Sequence, residues 1–82
     1  MTENQLIKEF NQLRKDALIS SNISGREYLN KLSNHKLFIY IAGKTYEYGR
    51  SFKDSIENAG IHLKNKKRAI KIYSSKSEDL FN

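Results

Sequence analysis

No cysteine occurs among the 82 residues, so neither a disulfide framework nor a thiolate metal site can staple the chain, and its stability has to come from packing alone. A chain of this length buries the core of one domain and leaves little room for a deep catalytic cleft as well. Hydrophobic residues make up 38% and charged residues 29%, which is enough apolar surface for a folded unit. No apolar run approaches the roughly 20 residues needed to cross a bilayer, and the opening "MTENQLIKEF" is polar and amphipathic, unlike an export signal. These features predict a cytoplasmic protein with no membrane partner.

Leu6, Ile7, Phe10, Leu13, Ala17 and Leu18 recur at spacings of three and four, which predicts a helix from about Glu3 to Ile19. Thr2 and Gln5 form a capping box at its start, and "SSN" at 20–22 breaks it. "ISGREYL" signals a second helix, Gly25 to Ser33. Ser24 is its N-cap, Glu27 the reciprocal partner, and Ile23 with Tyr28 the hydrophobic staple; Tyr28, Leu29 and Leu32 face the core, and Asn34 and His35 end it. "KLFIYI" is short, β-branched and aromatic and is followed by Ala42-Gly43, so it reads as a strand entering a tight turn. "KTYEY" alternates and completes a hairpin. Ser51 and Asp54 cap a third helix carrying Phe52, Ile56 and Ala59, which ends at Gly60 in a left-handed C′ position, with Ile61 folded back on Ile56. "IHL" and "RAIKIY" read as strands around the basic turn "KNKK".

The expected order is therefore ααββαββ, an α+β fold with an antiparallel sheet and helices packed on one face. Residues 1–75 form the domain, and 76–82, "KSEDLFN", are expected to be a flexible C-terminal tail.

The formal net charge of +6 is unevenly placed. Residues 1–35 hold five basic and four acidic groups, whereas 36–76 hold ten basic and three acidic ones. Segregation of this kind suits a surface that meets a polyanion. Lys64, Lys66, Lys67, Arg68 and Lys71 fall within eight positions and are the candidate phosphate contacts. If Leu37, Ile39, Ile41, Ile70 and Ile72 face the helices, then Phe38, Tyr40, Tyr73 and Lys71 share the outer face of the sheet, with Tyr40 and Tyr73 as candidate stacking groups for unpaired bases. Periodicity does not say which face is open, so the same rings serve equally as core. The cations could also be a solvated turn, but binding is favoured over that, because five of them in eight positions repel one another and are costly to keep without a partner. Single-stranded RNA with little sequence preference fits better than duplex DNA, because no helix presents a basic groove-reading face.

Other motifs are thin. "AGKT" at 42–45 resembles the end of a phosphate-binding loop, but Phe38 stands where the first glycine must sit. His35 and His62 lack HxxxH spacing, and there is no cysteine and no nearby acidic pair, so no catalytic residue, metal or cofactor is expected. A small ribonuclease is the enzyme alternative. The stripe Leu6, Phe10, Leu13 and Ala17 is either core or a docking seam, and Leu80-Phe81 either a short docking motif or a frayed end. An exposed strand edge would also allow a homo-oligomer.

The absence of Cys, Pro and Trp and the wealth of Lys, Asn, Ile and Tyr resemble small accessory proteins of T-even-like bacteriophages. Within that set the chain resembles RNA-binding inhibitors of toxin–antitoxin ribonucleases, which would imply that RNA helps it block a host nuclease, a counter-defence role. A protein-binding regulator that touches no nucleic acid, such as a cytoplasmic lysis-inhibition protein, has the same texture.

Overall fold

The computed structural model describes residues 1–19 and 24–77, and every regular element among them is helical. Five α-helices follow one another: α1 (Glu3–Ile19), α2 (Gly25–Lys31), α3 (Asn34–Glu47), α4 (Phe52–His62) and α5 (Lys66–Ser77), with a 3-10 turn, Leu63–Asn65, between the last two. α3 packs against both α1 and α4, while α2 packs against α5. The expected α+β class is thus corrected to all-α. No strand, sheet or hairpin is present among the described residues.

Three helix starts are where the sequence places them, because an N-cap is a contact across only three residues. The Gln5 amide donates to Thr2 Oγ1 at 3.1 Å, and the Thr2 amide returns to Gln5 Oε1 at 2.9 Å. Ser24 Oγ accepts from the Glu27 amide, and Ser51 Oγ from the Asp54 amide, each at 3.1 Å. The expected break at 20–22 and the staple residue Ile23 lie outside the described residues.

"KLFIYI" is where the strand reading fails. Ser33 Oγ accepts from the Lys36 amide at 3.2 Å and starts a third helix at Asn34, so Asn34 and His35 open a helix instead of closing one. α3 then runs through Ala42 and Gly43 with every residue from Ile39 to Thr45 buried. A helix enclosed on several sides has no polar stripe, and a short apolar run of it is indistinguishable from a buried strand. Gly43 is no turn. It is the point at which α1 comes closest: a Cβ there would stand 2.8 Å from Phe10 Cβ and overlap the Phe10 ring.

"KTYEY" is the last turn of α3, closed by the left-handed Gly49 at φ 100°. The Gly49 amide donates to the Tyr46 carbonyl at 3.0 Å and the Arg50 amide to the Thr45 carbonyl at 3.3 Å, the two bonds of a Schellman motif. That motif was expected at Gly60. Gly60 instead lies inside α4, which continues to His62, and Ile61 is 65% exposed.

The second expected hairpin is helical throughout: "IHL" is the end of α4 and the start of the 3-10 turn, and "RAIKIY" lies in α5. Its alternation of Ile70, Lys71 and Ile72 has a period of two, but the buried set is Ala69, Ile70 and Tyr73, a stripe of helical period. The "KNKK" turn becomes the 3-10 turn and the first residues of α5, where Asn65 Oδ1 accepts from the Arg68 amide at 3.2 Å. α5 extends to Ser77, so the tail expected from residue 76 begins inside it; Glu78 to Asn82, with Leu80-Phe81, lie outside the described residues.

Three hydrogen bonds at the centre of the fold fix the layers. Asn58 Nδ2 donates to Thr45 Oγ1 and to the Tyr73 hydroxyl, both at 3.0 Å, and Thr45 Oγ1 donates to the Ile41 carbonyl at 2.8 Å, which joins α3, α4 and α5. Asn58→Ala should cost about 1–3 kcal/mol, because it strands acceptors that water cannot easily reach; urea unfolding measures this directly.

The Tyr28 hydroxyl donates to the Leu13 carbonyl at 2.9 Å and ties α2 to α1. Burial, with a smaller contribution from the Asp16 carboxylate, pushes the Tyr28 phenol up from 10.0 to about 12. The folded protein therefore holds this proton more tightly than the unfolded one. Its stabilisation is fully present below pH 10 and is lost as the pH rises towards 12, at about 1.4 kcal/mol per pH unit. Thermal melts across that range should fall more steeply for the native protein than for Tyr28→Phe.

Candidate functional site

α5 carries the candidate cations on a helix instead of a turn, and this changes which of them meet. On a helix, positions three and four apart are neighbours, so Lys67, Arg68 and Lys71 cluster on one side. α2 packs alongside and adds Arg26 and Asn30, one turn apart on the face opposite the buried Tyr28 and Leu29. Together they line an open groove of about 1000 Å³, with Asn65 at one end and Ile70 and Ile72 among the apolar lining. Ile70 is buried and Ile72 half-buried. Among the described residues, none of the heads of Arg26, Lys67, Arg68 and Lys71 is taken up in an ion pair. Lys64 and Lys66 are exposed and do not line this groove.

A second, smaller depression of about 260 Å³ lies on the other side of α5, lined by Ile61, His62, Asn65, Arg68 and Ile72. Asn65, Arg68 and Ile72 belong to both hollows and form the ridge between them.

Tyr40 and Tyr73 are placed elsewhere. Tyr40 is fully buried on α3, with its ring 6.0 Å from that of Phe10. Tyr73 is 4% exposed, its hydroxyl held by Asn58 and its ring edge-on to His62 at 5.2 Å. Without a sheet there is no outer face to carry them, and both rings contribute to the core. Phe38, expected beside them, packs partly buried against the same core.

His35 sits on α3 with Nε2 3.6 Å from a Glu9 oxygen on α1, an exposed contact between neighbouring helices. Among the described residues, no group of three or more His, Cys, Asp or Glu side chains gathers where a metal ion could be held. No described helix is long and apolar enough to cross a membrane.

Arg26 is the functional candidate that sequence reasoning missed. Its only signal was the pairing of Arg26 with Asn30 on the polar side of a seven-residue helix, and that pairing acquires meaning only once α2 lies against α5. Compared with protein-family models, with curated proteins and with solved structures, the chain matches none.

Proposed function

We propose that this protein is a non-catalytic, protein-binding regulator whose contact surface is the face made by α2 and α5. The observation that carries this reading is the composition of the groove: cations from two helices stand over an apolar lining, while the candidate stacking rings Tyr40 and Tyr73 are sealed in the core. A phosphate backbone is satisfied by cations and amides, and isoleucine adds nothing to that contact. A protein partner uses both, because apolar contact supplies affinity and charge supplies orientation and encounter rate. The phage-like texture is therefore better matched by a regulator of the lysis-inhibition kind acting in the host cytoplasm.

RNA binding is the second reading, favoured by one observation: Arg26 joins Lys67, Arg68 and Lys71 around a single groove. It predicts affinity that falls with salt by about one unit of log–log slope for each phosphate neutralised. Pull-downs with and without ribonuclease treatment separate the two. The protein reading expects a bound protein that survives the nuclease; loss of all captured protein on nuclease treatment overturns it in favour of RNA.

A further inference from the structure

We infer that the two hollows flanking α5 form one docking surface for an acidic, amphipathic helix of a partner protein, an inference that rests on the protein-binding reading above. Arg68 stands on the ridge shared by both hollows. On one side lie Arg26, Lys67 and Lys71, and on the other lies Ile61, a large apolar side chain left 65% exposed. Cation and aliphatic surface thus alternate across the face. A helix with apolar residues at i, i+3 or i+4, and i+7 presents side chains about 5–6 Å apart along one stripe, able to enter successive hollows, with its flanking positions free for carboxylates. Ile61 from the end of α4 and Ile72 from α5 line the same small hollow, so apolar surface from two helices meets beside the Arg68 ridge.

The fold itself selects a helix. No strand edge exists among the described residues, so an extended peptide would find no ladder to join, whereas a helix brings its backbone hydrogen bonds with it. Charge selects against a second copy, because two-fold docking through this face would set the cations of one groove against those of the other. Several carboxylates of the chain are also already engaged: Glu47 with Arg14, Glu9 with His35 and Glu3 with the Tyr46 hydroxyl.

The test uses the full chain and a synthetic helical peptide of about 16 residues, with leucines at that spacing and glutamates beside them. Its controls are a peptide of identical composition with the stripe scrambled, a single-stranded RNA, and vesicles of equal parts phosphatidylglycerol and phosphatidylcholine. The inference expects the striped peptide to bind at least tenfold more tightly than the scramble. It also expects amide signals of Arg26, Ile61 and Arg68 to shift, and Ile61→Asp to weaken binding at least tenfold while leaving the helical circular dichroism unchanged. Equal affinity for the scramble, shifts confined to another face, or displacement of the peptide by the RNA or the vesicles would overturn it. A nuclease-resistant partner captured through this face alongside such a failure would retain the protein-binding reading and reject only the helical, acidic occupant.

Discussion

Gly43→Ala should lower the thermal midpoint by about 10–20 °C, although alanine is the better helix former. In an open helical position that exchange gains about 1 kcal/mol. At Gly43 the added methyl would stand 2.8 Å from Phe10 Cβ and overlap the ring itself. Phe10 cannot swing away cheaply: it is 6% exposed, its ring meets Tyr40, and the Arg14 guanidinium lies 4.9 Å over its face. Separating α1 from α3 to make room would open the core along its length, so the expected net cost is about 2–3 kcal/mol, and a change of that size in a domain this small gives the shift stated. Gly60→Ala supplies the internal contrast. It lies in α4 with nothing within 4 Å of the new atom and should raise the midpoint. Combining Gly43→Ala with Phe10→Ala should recover part of the loss relative to the sum of the single changes, since the methyl would then enter space the ring had filled. If Gly43→Ala melts at or above the native midpoint, the close approach of α1 and α3 is wrong.

Changing Lys67, Arg68 and Lys71 together to Glu should abolish partner capture while leaving the fold intact. All three are exposed, so their replacement creates no cavity and buries no charge. Each charge-assisted hydrogen bond removed is worth about 1 kcal/mol or more at a partly desolvated interface, and reversal adds repulsion. The combined loss of at least about 3–4 kcal/mol corresponds to a hundredfold or greater weakening. The same three changes at Lys8, Lys15 and Lys31, outside the groove, should alter capture far less. That contrast separates a localised site from a protein that attracts partners through net charge alone, and it is read by binding titration at physiological salt. Equal losses from the two triple variants would count against the α2–α5 face.

The signals that survived from sequence to structure are local ones. α1 spans the residues its stripe predicts, and Thr2, Ser24 and Ser51 cap helices as expected. Ser33 caps α3 in the same way, at a position the sequence reading gave to the end of the second helix. Gly49 and Gly60 show the limit from the other end. Both follow an amphipathic segment, yet only Gly49 adopts a positive φ, because α3 ends just before it whereas α4 continues through Gly60 to His62. The site was legible in part. The cluster of cations was plain, but its division into groove-lining and merely exposed members was not, since a turn and a helix send the same five side chains in different directions.

Capping boxes, the first amphipathic stripe and the concentration of charge in the second half could be read from the chain alone, because each is a property of residues within a few positions of one another. Whether "KLFIYI" became strand or enclosed helix, and whether Tyr40 and Tyr73 met solvent, depended on what packed around them. α1 and α4 surround α3 and bury its apolar residues on several sides, and α2 lies against α5 and brings Arg26 beside cations some forty residues away. Burial is a relation between distant segments, so the tertiary structure decided both the fold class and the groove.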